Sequence, residues 1–266
     1  MRSNVLYSSL VGVFLIGAIF GSAFLGSNLT SLVINDGSDF SISADSQTGI
    51  NFYNLVEIDE GDNDEDKVVT YIYHNFTFTS LGSESVNWDF GDGDMATGQM
   101  VSHQYEIPGV YLVTATSLST KGIEVATTMV TVHLSAEAKV DNMECECAPT
   151  AKDTVIDLIP TIGSVEISGY LLVEHDGSSE SCSLRNPLQE CHLRVIIQRT
   201  QSGNIISEDV IFDNTFRNNE QVVDFQIEAV DIYQGEGVQI RLETDQLRDW
   251  HKPSAIWDIT ILEDSL

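Results

Sequence analysis

The sequence predicts an all-β protein, two successive β-sandwiches behind one N-terminal transmembrane helix. Three observations lead there. Short runs after Val68 alternate apolar and polar residues with period two. Gly, Asp and Pro punctuate the gaps between those runs. The one long uncharged apolar stretch sits at the extreme N-terminus. Period-two alternation sends one set of side chains into a core and the other outward. No useful stretch carries the 3.6-residue period of an amphipathic helix.

The first element is residues 1–27. Val5–Gly26, VLYSSLVGVFLIGAIFGSAFLG, contains no charge. About 20 apolar residues suffice for a helix to cross a bilayer core. Arg2 precedes the run, and positive charge stays on the cytoplasmic side. A cleaved secretory signal is the alternative: its apolar region is shorter, about 7–15 residues, and ends in small residues. Gly21-Ser22-Ala23 fits such a site, whereas continuation through Phe24 and Leu25 favours an uncleaved anchor. The anchor reading gives a single-pass protein of the cell membrane with its ectodomain outside; the cleaved reading gives a secreted one. Asn28 and Asn75 begin Asn-x-Thr sequons and are glycosylation candidates in that compartment.

Residues 28–66 form a polar, acidic lead-in. Asp62, Asp64 and Asp66 alternate within its final run, and carboxylate oxygens in a flexible loop are calcium ligands. The run lacks the glycine and the closing glutamate of an EF-hand loop, so a solvated acidic loop is the competing reading. No other cofactor is expected. Over the whole chain 41 acidic residues face 12 basic ones, for a formal net charge of −29. Nucleic-acid binding is excluded as an expectation, because it needs Lys and Arg to neutralise phosphates. Excess carboxylate keeps a chain soluble, including in salt, where screening weakens their mutual repulsion.

Residues 67–135 carry the strongest motif. Phe76 and Phe78 alternate with Asn75, Thr77 and Thr79, and Val130 and Val132 with Met129, Thr131 and His133. Between these lie Trp88-Asp89-Phe90-Gly91-Asp92-Gly93 and, further on, His103-Gln104-Tyr105 and Pro108-Gly109-Val110-Tyr111. Trp88 and Phe90 fall on one face of a strand. Gly91-Asp92-Gly93 makes a tight turn needing positive φ. Asp89 and Asp92 cap that turn through nearby backbone N–H groups. Pro108-Gly109 suits a type II turn. Two separated blocks in this order resemble the PKD (polycystic kidney disease) domain family over about 50 residues. The resemblance implies an immunoglobulin-like sandwich of the kind found in extracellular, including archaeal, surface proteins. It also implies contact with proteins or carbohydrate, or spacing of other domains, with His103, Tyr105 and Tyr111 as framework.

A linker, 136–147, contains Cys145 and Cys147, and 148–266 is expected to form a second sandwich or jelly-roll-like domain. Leu193, Val195 and Ile197 alternate with polar residues; Ser202-Gly203-Asn204 turns the chain into a hairpin. Val223, Phe225 and Ile227, then Val238, Ile240 and Leu242, then Trp257, Ile259 and Ile261 form further stripes. Cys145, Cys147, Cys182 and Cys191 make an even count, which in an oxidising compartment reads as two disulfides with three pairings open. Their C-x-C and C-x(8)-C spacings fit structural zinc poorly. Trp250, in the loop 249–253, is a candidate for stacking on a sugar or a partner, or fills the sandwich end.

No H-E-x-x-H, G-x-S-x-G or P-loop motif occurs. The expected function is therefore a membrane-anchored surface protein that contacts envelope protein or polysaccharide, or acts as an adhesion or scaffold component, without catalysis. The alternative is an extracellular hydrolase or its accessory, with the working unit in 148–266. A pilin-like envelope subunit is the third reading, weakened by a single basic residue before the apolar run.

Overall fold

The computed structural model describes residues 40–59, 65–83, 85–119, 122–142, 154–175, 191–216, 220–228, 235–244 and 251–262. Every regular element in them is a strand, and no helix among them is long and apolar enough to cross a membrane. The Val5–Gly26 stretch and Asn28 lie outside the described residues.

In chain order the first nine strands are β1 (Ser41–Ala44), β2 (Thr48–Asp59), β3 (Glu65–Ile72), β4 (Asn75–Leu81), β5 (Val86–Asp89), β6 (Met95–Thr97), β7 (Met100–Gln104), β8 (Gly109–Ser119) and β9 (Gly122–Asn142). Seven follow: β10 (Thr154–Asp157), β11 (Ser164–His175), β12 (Cys191–Gln201), β13 (Asn204–Phe216), β14 (Glu220–Glu228), β15 (Glu236–Thr244) and β16 (His251–Ile261). They build three sheets: β1-β4-β7, β10-β15-β12-β13, and a large sheet running β14-β11-β16-β9-β8-β5-β6 with β2 and β3 added at β9.

The large sheet is shared. Its strand β9 pairs with β8 over Gly122–Val132 and with β16 over Leu134–Lys139, while β2 runs parallel to it from Thr131 to Asn142. Even-numbered residues of β9 point to one face throughout. Ala126, Val130 and Val132 enter a core with Phe40, Ile42, Phe76, Phe78, Val86, Trp88, Phe90, Tyr105 and Val113. Leu134, Ala136, Ala138 and Val140 enter a second core with Ile156, Leu171, Val195, Phe225, Ile240 and Trp257. Each small sheet covers one half of the same strand. Burying one large apolar side chain contributes about 1.5–3 kcal/mol, so these two cores are the main stabilising term.

Each core holds one tryptophan by the same device. Trp88 Nε1 donates to Gly98 O at 2.8 Å, and Trp257 Nε1 donates to Leu158 O at 3.0 Å. A buried indole N–H needs such a partner. Gly169 of β11 stands opposite Trp257 of β16. A Cβ there would lie 2.1 Å from Ile256 O and 2.7 Å from Trp257 Cα, so only glycine allows the strands to approach.

The period-two stripes predicted from the sequence are the buried faces: Leu193, Val195 and Ile197 on β12, Val238, Ile240 and Leu242 on β15, and Trp257, Ile259 and Ile261 on β16. The hairpin at Ser202-Gly203 is a two-residue turn between paired Gln201 and Asn204, with φ of 51° and 79°. Positive φ at both central residues is the type I′ pattern, which favours Asn-Gly. Ser202→Asn is therefore expected to raise stability by a few tenths to about 1 kcal/mol, read as a higher urea midpoint at unchanged slope.

Four expectations need correction. Residues 28–66 are not only a lead-in: β1 and β2 lie within them, because Phe40, Ile42 and Ala44 alternate into the first core and Tyr53 reaches the second. Residues 136–142 are not linker but the last third of β9, held by burial of Ala136, Ala138 and Val140. The C-terminal sandwich thus also draws on β2 and β9. Gly109 makes no type II turn; it lacks a positive φ and opens β8. Residues 251–253, expected in a loop, begin β16, and Pro253 is tolerated just beyond the Ser254–Lys139 pair that begins the contact with β9.

Candidate functional site

The motif residues converge at one end of the first core. β5 places Trp88 and, just past its end, Phe90 inward, and the chain then turns at Gly91 and Gly93, with φ of 83° and 102°. A side chain on Gly91 would meet Leu112 O at 2.8 Å, so both backbone conformation and space demand glycine. Asp89 Oδ1 accepts from Gly91 N at 3.0 Å and Asp92 Oδ1 from Asp94 N at 3.0 Å. These are the turn caps expected from the Asp-Gly pattern.

β7 brings His103 to this turn. Its ring lies parallel to Phe90 at 4.0 Å and edge-on to Tyr105 at 4.5 Å, and His103 Nε2 lies 2.7 Å from Asp92 Oδ2. Tyr105 donates its hydroxyl to Phe90 O at 3.0 Å and stacks on Tyr111, whose hydroxyl donates to Ile107 O. Burial, then the Asp92 charge, push both tyrosine hydroxyls above the ordinary phenol value. They stay neutral donors at every physiological pH.

Burial alone would raise the Asp92 carboxyl. The Asp94 N–H, the His103 hydrogen bond and the His103 charge outweigh burial, and the carboxyl sits below its ordinary value. A depressed carboxylate contributes stability above the unfolded value, near 3.8, and loses it as pH falls through the folded value. Asp92→Asn is expected to flatten the acid limb of the stability–pH curve below about pH 4, measured by urea unfolding at stepped pH. An acid limb identical in both proteins would show that the pair contributes nothing.

Asp92, Asp94 and His103 offer donor atoms all within 4.8 Å of one another, the one group of this kind among the described residues. Both oxygens of Asp92 are already engaged, one by Asp94 N and one by His103. The arrangement therefore pins a turn to β7. It contains no nucleophile beside a base.

Asn75 is exposed at the start of β4. Pro108 is buried, and its carbonyl accepts from Thr161 Oγ1 of the C-terminal half at 3.3 Å. Cys191 is the first residue of β12 and Asp66 lies in β3 opposite Ile58. Asp62, Asp64, Cys145, Cys147, Cys182 and Trp250 lie outside the described residues. Sequence reasoning missed a polar network on the outer face of the smaller C-terminal sheet. There Gln198, fully buried, donates to Glu208 at 2.6 Å and accepts from Gln239 at 2.7 Å. Arg194 and Arg241 both meet Glu243 at 3.0 Å. Arg194 and Gln198 on one face of β12, and Gln239, Arg241 and Glu243 on the matching face of β15, are the signal for it.

Residues 57–134 match the PKD domain family. The PKD match starts in β2 and ends in β9, so it takes in the Asp92–His103 turn and stops where β9 enters the second core. No curated protein matches the chain. Among solved structures, a carbohydrate-binding module of the beta-sandwich super family is 9% identical, covering 86% of this chain and 100% of that one, at a TM-score of 0.28. The N-terminal CBM22-1-CBM22-2 tandem domain of Xyn10C from Paenibacillus barcinonensis is 14% identical, over 67% of this chain and 72% of that one, at 0.29. A structure of the infectious bursal disease virus Gx strain is 12% identical, over 85% and 72%, at 0.29.

Proposed function

We propose that this chain is a contact module of the cell surface, anchored by its N-terminal apolar segment with the two sandwiches outside, and that it works by binding rather than by bond chemistry. The observation that carries this reading is the strand β9, which joins a PKD-matching half to a second sandwich without a break. At about 3.3 Å per residue, its 21 residues extend roughly 70 Å. Such a frame holds both halves at fixed spacing, which suits displaying a surface to an envelope protein or polysaccharide. Outward placement also fits the four cysteines as disulfides and the sequons at Asn28 and Asn75.

The test is retention of the full chain on envelope extracts and on a glycan panel, with and without calcium. Specific retention on either is the expected result. Dependence on calcium would add a ligand role for Asp62, Asp64 and Asp66. Absence of retention on all of them, together with hydrolysis of any polymer in the panel, would replace this reading by the hydrolase one.

A further inference from the structure

Seven strands have one neighbour among the described residues: β1, β3, β6, β7, β10, β13 and β14. A strand edge with bare N–H and C=O groups templates another strand, and folded proteins blunt such edges. Here most are blunted. β1, β6, β7 and β10 are three to five residues long. β13 is broken by two register shifts. β14 turns Glu220, Asp224, Gln226 and Glu228 outward, with Val222 the single apolar residue in that row.

β3 is different. Its eight residues pair with β2 in unbroken register, contain no Pro, and have no strand on the other edge among the described residues. Apolar side chains stand exposed on both of its faces. Ile72 pairs with Phe52 and Val68 with Val56 on one face, with Ile72 62% and Val68 58% exposed. On the other face Tyr71 pairs with Tyr53 and Val69 with Leu55, and Tyr71 and Val69 are each 47% exposed. Tyr53 and Leu55 belong to the second core or pack against it, so an added strand would extend a buried row.

Charge selects the occupant. The register places Glu57, Asp59, Glu65 and Asp66 at one end of this ribbon, with Lys67 the single base among them. A second copy would bring another −29 to the contact. We propose that β3 is the docking edge for an extended segment of a different protein, apolar at alternate positions and basic at the end lying beside Glu65 and Asp66. Main-chain hydrogen bonds would supply affinity, and the apolar rows with the acidic end would supply selection. This deepens the contact-module reading and rests on it.

The test uses the full chain and four labelled peptides of alternating valine and threonine, with a lysine pair or a glutamate pair at either end. Fluorescence anisotropy should show saturable binding of one lysine peptide, at least about tenfold tighter than its glutamate counterpart. Hydrogen exchange should slow at residues 65–72. The double variant Val68→Lys, Ile72→Lys, at two exposed positions, should lose the binding at unchanged melting temperature. If that variant melts early, the exchange pattern of the wild-type chain decides alone. Equal binding of both charge types, protection elsewhere than β3, or no binding would overturn the proposal. A concentration-dependent dimer protected at β3 would name a second copy as occupant and overturn it as well. Envelope or glycan retention without β3 protection would remove β3 and leave the contact-module reading standing.

Discussion

Gly169→Ala should destabilise the chain by at least about 3 kcal/mol, a large fraction of an ordinary domain's stability. The added Cβ would lie 2.1 Å from a carbonyl oxygen and 2.7 Å from a Cα, both of the neighbouring β16 backbone. No side-chain rotation relieves a clash with backbone. β11 and β16 would have to separate, and β16 carries Trp257, Ile259 and Ile261 into the second core and pairs with β9. Urea unfolding followed by tryptophan fluorescence checks this. A midpoint within error of wild type would mean that the strands have slack at Gly169.

The second large effect is at Trp257. Trp257→Ala should cost about 3–5 kcal/mol for the cavity alone. It also leaves Leu158 O without its indole donor, which adds about 1–3 kcal/mol if the carbonyl stays dry. Trp257→Phe separates the two contributions, since it keeps most of the volume and loses the N–H. A loss of about 1–3 kcal/mol in the Phe variant assigns a measurable share to the hydrogen bond. A Phe variant as stable as wild type would assign the whole effect to packing. Trp88→Ala should behave similarly in the other core, where the acceptor is Gly98 O.

Much of this fold is legible where alternation is dense. Phe76 and Phe78, Leu193 to Ile197, and Val238 to Leu242 have no competing period, and each is a buried face. The turn at Gly91–Gly93 is legible because Asp-Gly steps carry both the cap and the positive φ. β1 and β2 were hidden by composition: Ser, Asp, Asn and Gln surround Phe40, Ile42 and Tyr53, and the polar background masks the two-residue period. The junction was hidden for the opposite reason. Alternation continues from Ala126 to Val140 without a turn residue, so nothing local marks where one core ends and the next begins. In the site, the caps of Asp89 and Asp92 are local bonds two residues long. The meeting of Asp92 with His103 depends on β4 and β7 folding over β5, a tertiary fact that spacing does not encode. The network around Gln198 joins three strands and is likewise tertiary.

The shared strand also dictates an order of assembly. When residues 122–142 leave the ribosome, β2 and β8 already exist, but β16, the other neighbour of Leu134–Lys139, is more than a hundred residues away in sequence. The N-terminal sandwich closes from segments already made. The distal part of the spine, with its row of Leu134, Ala136, Ala138 and Val140, must wait until β16 is synthesised. Closing so large a loop slows the final step. A chaperone that guards one stretch of this protein during synthesis would do so to most effect there.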